Sequence, residues 1–219
     1  MERRDFLRYS TLSGIGLAIM PSLLQSCQKD DDFTVNFDGK VLIIGAGAAG
    51  MMAAYTCHQY GVDFELIEAG PTFGGRVKKL EGFVDFPVDM GAEWLHDAPK
   101  TLGELINDEN AKGSVEMISY QPESIANWDG TTLTNMNVGS QFYREYKFKS
   151  TTWYDFFEDF IVPSISSKLI LNEAVSSINY SASQVVVTSS NGTQFTGDKV
   201  IVTVPVPILQ KELITFTVS

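Results

Sequence analysis

The sequence predicts an α/β fold built on a parallel β-sheet, and three features of its first half lead to this prediction. Val41–Ile44 is a continuous apolar run, as expected of a strand that is buried on both faces. Met51–Tyr60 contains good helix formers, and Gly61 stands where a helix C-terminal cap belongs. A second apolar strand, Val62–Ile67, closes on Glu68. Strand, helix and strand in this order predict the βαβ unit of a doubly wound sheet.

The turn between the first strand and the helix has a complete G-x-G-x-x-G pattern at Gly45, Gly47 and Gly50. In such a pattern the first glycine allows a tight turn, the second lets the backbone approach a pyrophosphate, and the third lets the helix pack closely. The helix N-terminus supplies N–H groups and a positive dipole end for the phosphates. Glu68 is placed to accept ribose hydroxyls and would repel a 2′-phosphate. The sequence therefore predicts binding of a dinucleotide that lacks a 2′-phosphate.

Composition and charge exclude several other classes of protein. The chain has 219 residues, of which 44% are hydrophobic and 20% charged, so it can bury a core and is not wholly disordered. Its formal net charge of −11 argues against nucleic acid as a partner, because phosphate backbones are bound by clustered Lys and Arg. Two cysteines and two histidines are too few for a zinc ribbon or a disulfide scaffold, and we expect no metal site.

Residues 1–27 have the layout of an export signal rather than of a folded element. The pair Arg3-Arg4 before an apolar run resembles a twin-arginine signal, and an ordinary secretion signal is the alternative. The run Leu12–Leu24 is too short to span a bilayer comfortably. The residues that end at Cys27 resemble a bacterial lipobox, in which the cysteine becomes lipidated.

Residues 28–38 form an acidic tether after this signal. Their first part resembles the short tag that sends some lipoproteins to the cell surface, and a solvated spacer is the alternative. Together with the lipobox, this segment predicts an exported protein that Cys27 anchors by lipid to a bacterial membrane, on its periplasmic or cell-surface face.

Two further motifs specify which dinucleotide is bound. Gly74-Gly75-Arg76 follows the ribose-binding acid closely, and Gly91–His96 reads Gly-Ala-Glu-Trp-Leu-His. With the glycine pattern and Glu68, these motifs resemble the flavin-containing amine oxidases, and within them the polyamine-oxidase branch. The resemblance implies FAD as the cofactor and a three-layer, Rossmann-like FAD-binding domain. An NAD dehydrogenase has no reason to carry the last two motifs.

A stretch near the C-terminus resembles the return of the family's chain to its FAD domain. Lys168–Ile178 leads to a strand at Gln184–Thr188, a hairpin turn at Asn191-Gly192, and a buried-looking strand at Asp198–Pro205. We expect a β-meander here. The resemblance implies that Val175 meets the adenine side of FAD through its backbone.

The resemblance divides the rest of the chain into three segments. Residues 39–98 are the first segment of the FAD-binding domain, 99–164 a shortened substrate or helical insert, and 165–219 a truncated return segment. Within the insert we expect short helices at Thr101–Ile106 and Thr152–Val162. The aromatic stripe of the second helix is more typical of a core than of a substrate cage.

The resemblance also implies the residues of the site. No catalytic residue can be located, because the family's flavin-side lysine and aromatic cage would lie beyond Ser219. Glu93 and His96 resemble residues that line the amine's approach, and a buried paired acid and a structural histidine remain the alternatives. The FAD-binding residues implied by position are Gly45, Gly47, Ala48, Ala49, Gly50, Glu68, Ala69, Gly74, Gly75, Arg76, Gly91, Ala92, Glu93, Trp94 and Val175.

The family's reaction is the oxidation of a small-molecule amine to an imine and then an aldehyde, with oxygen reduced to hydrogen peroxide. Two alternatives remain open. One is a catalytically incomplete FAD-binding surface lipoprotein or fragment, since family members are substantially longer than this chain. The other is a desaturase-like flavoenzyme, although the run Glu93–His96 favours the amine branch.

Overall fold

The computed structural model describes residues 35–106, 116–120, 124–137 and 145–217. Contacts divide the chain into two units, residues 1–36 and residues 37–219. The predicted signal, the lipobox at Cys27 and most of the acidic tether lie outside the described residues. None of the helices within the described ranges is long and apolar enough to cross a bilayer.

The second unit contains both strands and helices. Its strands are Lys40–Ile44 (β1), Asp63–Ile67 (β2), Val77–Leu80 (β3), Val88–Gly91 (β4), Met117–Tyr120 (β5), Ser124–Trp128 (β6), Leu133–Asn137 (β7), Glu145–Phe148 (β8), Leu169–Ile170 (β9), Val175–Asn179 (β10), Val185–Ser189 (β11), Gln194–Gly197 (β12), Lys199–Val202 (β13) and Thr215–Thr217 (β14). Its α-helices are Ala48–Gln59 (α1), Lys100–Ile106 (α2), Trp153–Phe156 (α3), Val162–Ile165 (α4) and Val206–Gln210 (α5). A π-helical turn at Phe157–Ile161 joins α3 to α4, and a 3₁₀ turn at Ser166–Lys168 follows α4.

The central layer is a parallel sheet in the order β13-β1-β2-β9. Strand β1, one of the two inner strands, is covered on both faces, and neither Leu42 nor Ile43 is accessible to solvent. Ile43 belongs to the same core cluster as Met51 and Ala54 of α1, whereas Leu42 belongs to the cluster on the other face. This confirms the α/β, Rossmann-like fold that the apolar run at β1 predicts.

The second sheet has the order β12-β11-β10-β14 and supplies the third layer. Strands β10, β11 and β12 are antiparallel neighbours, which is the meander that the sequence predicts. Ile178 and Val187 of this sheet are fully buried in one cluster with Leu42 and Ile44 of β1. Helix α1, the parallel sheet and the antiparallel sheet therefore form three layers with a core on each side of the parallel sheet.

The insert contains the two helical stretches that were expected, at α2 and from α3 through α4. Phe156, Phe157 and Ile161 of the second stretch are buried in the core cluster on the α1 side, as the aromatic stripe predicts. The insert also forms two antiparallel strand pairs, β5 with β8 and β6 with β7, that were not predicted. Strands β5 to β7 carry no sequence signal, because their described side chains are mostly exposed and do not alternate between apolar and polar.

Candidate dinucleotide-binding site

The glycine turn places three glycines in three different environments. Gly45 has φ of +100°, which only glycine adopts readily. A Cβ atom at position 50 would lie 1.8 Å from the carbonyl oxygen of Gly45, so helix α1 can approach β1 this closely only with glycine there. A Cβ atom at Gly47 would meet nothing within 4 Å. Position 47 therefore faces open space from which a ligand can approach the backbone.

Helix α1 begins at this turn and directs its first N–H groups toward the same open side. The N–H of Met51 donates to the carbonyl oxygen of Gly47 at 2.9 Å, which is the first intrahelical bond of α1. The N–H groups of the preceding helical residues have no intrahelical acceptor. Among these residues, Ala48 and Ala49 are exposed and line the cavity described below. Their N–H groups and the helix dipole suit an anionic group.

Glu68 ties the end of β2 to the glycine turn. Its Oε2 accepts a hydrogen bond from the N–H of Ala46 at 2.7 Å, and its Oε1 accepts one from the N–H of Gly70 at 2.8 Å. An ionised carboxylate has about four lone-pair sites, so both oxygens can accept further hydrogen bonds. Glu68 and its neighbour Ala69 line the cavity. The carboxylate can therefore hold the turn and accept ribose hydroxyls at once.

The Gly74-Gly75-Arg76 motif packs directly against the glycine turn. The N–H of Gly74 donates to the carbonyl oxygen of Ala46 at 2.8 Å, and Gly74 forms a parallel bridge with Gly47. A Cβ atom at Gly75, where φ is +59°, would lie 3.2 Å from the Cα of Gly47. Arg76 is exposed and forms no ion pair with any residue that the structure describes. An unpaired guanidinium beside the glycine turn suits a diphosphate.

The third motif reaches the same place through the β3–β4 hairpin. Gly91 pairs with Val77, has φ of +116°, and would carry a Cβ atom only 2.0 Å from the carbonyl oxygen of Arg76. Gly91 and Ala92 line the cavity. Glycine is therefore required where β4 ends beside Arg76, the residue before β3.

These motifs enclose one cavity of about 930 Å³, near the upper end of the range of about 300–1,000 Å³ for ligand pockets. All the predicted FAD-binding residues line it except Gly50, Glu93 and Trp94. Val175 lines it from the second sheet, beside Ala174. The residues present fit FAD, because an open glycine turn, free helix N–H groups and an unpaired arginine meet at one wall.

Glu93 and Trp94 contact the insert instead of the cavity. The Nζ atom of Lys147 lies 2.5 Å from the Oε1 atom of Glu93 and 5.4 Å from the centre of the Trp94 ring. The Trp94 ring also packs against the ring of Tyr120, with centroids 5.2 Å apart. Lys147 thus neutralises the carboxylate for which the resemblance implies a position on the amine's approach.

His96 is similarly engaged by strand β8. Its Nδ1 atom lies 2.7 Å from Oε1 of Glu145, whose side chain is 8% exposed, whereas that of His96 is 74% exposed. The ladder between the two segments is short, with Leu95 bridged to Tyr146. Both predicted substrate-side residues therefore have a charged partner on β8.

Asp89 has the most perturbed carboxyl near the site. Burial raises its pKa to about 6, the hydrogen bond from the N–H of Trp153 opposes this rise, and the charge of Glu93 adds to it. The bond from Trp153 to Oδ1 of Asp89 is 2.9 Å long and links β4 to the start of α3. Asp89 thus joins the strand before Gly91 to the helical part of the insert.

Cys57 lies on α1 and does not line the cavity. Burial raises the pKa of the Cys57 thiol, which makes it a poor thiolate nucleophile. In the part of the chain that the structure describes, no three His, Cys, Asp or Glu side chains form a group that could hold a metal ion.

The sequence prediction missed one wall of the cavity. Part of this wall follows β13, which pairs with β1 in parallel, so its C-terminal end lies beside the glycine turn. Ligands in open α/β folds bind outside the carboxyl ends of the strands, and this rule could have identified the wall had the pairing been known. The lining residues missed in this way are Thr203, Val204, Pro205, Ile208, Leu213 and Ile214.

The models of two protein families match parts of the chain. "NAD(P)-binding Rossmann-like domain" matches residues 43–108, and "Flavin containing amine oxidoreductase" matches residues 158–218. The first match spans the glycine turn and the next two motifs, and the second spans β10 to β14.

Several curated proteins are similar to parts of the chain. Probable polyamine oxidase 5 of Arabidopsis thaliana is 35% identical over 81 residues, which cover 32% of this chain and 15% of that protein. Probable flavin-containing monoamine oxidase A of Dictyostelium discoideum is 31% identical over 72 residues, covering 33% and 16%. Human lysine-specific histone demethylase 2 is 24% identical over 255 aligned positions, covering 80% of this chain and 31% of that protein. The chain thus spans less than a third of the length of these relatives.

Proposed function

We propose that the chain belongs to an FAD-dependent oxidoreductase that oxidises an amine. The matches support the flavin-containing amine oxidase family and FAD as the cofactor. The observation that carries the proposal is the meeting of three distant motifs at one cavity. Gly45–Gly50, Gly74–Arg76 and Gly91-Ala92 all contribute to its lining, although Gly91 follows Gly50 by 41 positions in the chain.

In the proposed reaction, the amine is oxidised to an imine, water hydrolyses the imine to an aldehyde and ammonia or a smaller amine, and oxygen is reduced to hydrogen peroxide. FAD supplies the two-electron chemistry. The chain's own residues bind and orient the cofactor. The N–H groups at Ala48 and Ala49 and the Arg76 guanidinium would hold the diphosphate, and Glu68 would accept the ribose hydroxyls. We assign no catalytic residue.

A first experiment tests the cofactor. The purified protein should show a flavin absorbance spectrum and release stoichiometric FAD on denaturation. Arg76→Met should weaken FAD binding because it removes the unpaired cation from the cavity, whereas Lys78→Met removes an exposed cation that does not line the cavity and should not. A colourless protein that takes up no added FAD would contradict the proposal.

A second experiment tests the reaction. The flavin-loaded protein is given a panel of monoamines, diamines and polyamines, and hydrogen peroxide and aldehyde are measured. Formation of both products in equal amounts with at least one amine is the expected result. A lipophilic product with an unsaturated bond, formed without amine oxidation, would favour a desaturase-like flavoenzyme instead.

One observation favours a second candidate function, a catalytically incomplete FAD-binding surface lipoprotein. Glu93 and His96 are both engaged by charged partners of strand β8, Lys147 and Glu145. A substrate amine would have to compete with Lys147 for the Glu93 carboxylate. Bound FAD together with the absence of peroxide from every amine would support this candidate.

For localisation, we propose that the protein is exported and anchored by lipid at Cys27. The supporting features are the paired arginines Arg3-Arg4 and the lipobox-like residues before Cys27. The test is metabolic labelling with a radioactive fatty acid, followed by membrane fractionation. Label in the unsubstituted protein but not in Cys27→Ala is the expected result, and equal labelling of both would contradict it.

A further inference from the structure

Thr203 lies at the end of β13, directly beside the glycine turn. The parallel register pairs Ile44 of β1 with Val202 of β13, so the next residues, Gly45 and Thr203, leave the sheet together. The N–H of Thr203 donates to the carbonyl oxygen of Ile44 at 2.9 Å. Thr203 is only partly buried, and it lines the cavity.

The side chain of Thr203 contacts two successive peptide groups of the turn. Its Oγ1 atom lies 2.9 Å from the carbonyl oxygen of Ile44 and 2.9 Å from that of Gly45. One hydroxyl proton is thus shared between both acceptors. A Cβ atom added at Gly45 would lie 3.0 Å from this oxygen, and one added at Gly50 would lie 2.8 Å from it. The hydroxyl therefore occupies the space between the glycine turn and the start of α1.

The N–H groups of the same peptides are held from the opposite side. The N–H of Gly45 donates to the carbonyl oxygen of Ile67 at 2.8 Å, and the N–H of Ala46 donates to Glu68 at 2.7 Å. Glycine at φ of +100° has little conformational preference of its own, so these bonds must select the conformation. On the β13 side, the Thr203 hydroxyl is the side-chain group that does so.

We propose that Thr203 is a positioning residue for FAD, whose hydroxyl fixes the turn that presents the helix N–H groups to the diphosphate. The proposal rests on FAD binding at this cavity. Without the hydroxyl, the carbonyl groups of Ile44 and Gly45 lose a donor, and the turn samples conformations that misplace the N–H groups. Affinity for FAD then falls, because the bound conformation must be selected from several.

The test compares substitutions at position 203 in the full chain. Thr203→Val keeps the shape and removes the hydroxyl, whereas Thr203→Ser keeps the hydroxyl and removes a methyl group. We expect Thr203→Val to raise the Kd for FAD about tenfold, as for the loss of one well-placed hydrogen bond, and Thr203→Ser to restore it to within about threefold. Kd is measured by quenching of flavin fluorescence.

Thr56→Val is the matched control. The Thr56 hydroxyl donates to the carbonyl oxygen of Met52 at 2.8 Å on the exposed side of α1, so its removal breaks a similar bond outside the turn. This variant should leave the Kd for FAD unchanged. Thr203→Val places a methyl group against the two carbonyl groups and could fail to fold for that reason. In that case Thr203→Ala, which removes the hydroxyl without adding this methyl group, takes its place in the test.

A second readout needs no cofactor. Amide hydrogen exchange at Gly45–Gly47 of the FAD-free chain should be faster in Thr203→Val than in Thr203→Ser. An unchanged Kd for FAD in both hydroxyl-free variants would overturn the role of Thr203 alone. Absence of FAD binding by the unsubstituted chain would overturn the cofactor assignment and this role with it.

Discussion

Gly47 and Gly50 lie in different surroundings, the first beside open space and the second against the backbone of the glycine turn. Gly50→Ala would place a Cβ atom 1.8 Å from the carbonyl oxygen of Gly45, so α1 must move away from β1. We expect this variant to lose at least about 2 kcal/mol of unfolding free energy, as an overpacked core does. Gly47→Ala adds a methyl group that contacts nothing, at φ of −76°, and should cost about 1 kcal/mol or less as a helix N-cap.

The substitution at Gly47 also tests ligand binding separately from stability. Gly47→Ala should weaken FAD binding about tenfold or more, because its methyl group enters the space from which the diphosphate approaches the backbone. Urea unfolding of the FAD-free chain and FAD titration measure the two effects. A Gly47→Ala variant that binds FAD like the unsubstituted chain would contradict the placement of the diphosphate.

Asp89 predicts a pH dependence of stability. Its pKa is raised from 3.8 to about 6 in the folded chain, so between these values the folded state holds a proton that the unfolded state has released. The contribution of Asp89 to the unfolding free energy is therefore fully present below about pH 4, and it is lost as the pH rises through about 6. Asp89→Asn keeps an oxygen that can accept from the N–H of Trp153 and removes this fall.

We expect Asp89→Asn to be more stable than the unsubstituted chain at pH 7 by about 1 kcal/mol, since partial exposure screens the effect, and to lose this advantage near pH 4. Urea unfolding at several pH values measures it. The exposed Asp85→Asn is the control and should show no such change. A constant difference between Asp89→Asn and the unsubstituted chain at all pH values would contradict the prediction.

At the scale of the element, the helical stretch from α3 to α4 depends on its buried face. A capping box begins it, with the Thr152 hydroxyl accepting from the N–H of Asp155 and the Asp155 carboxylate accepting from the N–H of Thr152. Ile161 and Ile165 are fully buried in the cluster that contains Met51 of α1. Packing of this face against α1 therefore supports the helix on which the glycine turn depends.

Ile161→Ala should lower the unfolding free energy by about 3 kcal/mol, because it leaves a cavity in this cluster. Leu105→Ala on α2 removes a side chain that is 53% exposed and should cost about 1 kcal/mol or less. Denaturant unfolding of both variants measures the difference. Equal losses in the two variants would contradict the buried position of Ile161.

At the scale of the whole molecule, the cavity draws its walls from both sheets and from α1, so FAD should stabilise the entire unit. A ligand at 100 times its Kd adds about 2.7 kcal/mol, which corresponds to a rise in Tm of about 5–10 °C for a unit of this size. Thermal unfolding with and without FAD measures the rise. NADP is the control: its 2′-phosphate would meet the Glu68 carboxylate, and it should give no rise. An equal rise with NADP would contradict the role of Glu68.

Local sequence determined the βαβ unit. The apolar run of β1, the three glycines, the helix formers of α1 and the acid after β2 lie within about one supersecondary unit, and the φ values and close contacts that glycine permits are local properties. The motifs around Arg76 and Gly91 resemble those of the flavin-containing amine oxidases, and this resemblance identified FAD as the cofactor. The sequence could not show how those motifs contact the glycine turn.

Tertiary structure alone decided the rest. The bridge between Gly47 and Gly74, the pairing of β13 with β1 that brings Thr203 to the turn, and the ion pair of Glu93 with Lys147 each join residues that are far apart in the chain. Such contacts depend on strand order and on how the insert folds back, and neither leaves a periodic signal at the residues concerned. The sequence therefore determined what the turn can bind, and packing determined which side chains hold it in place.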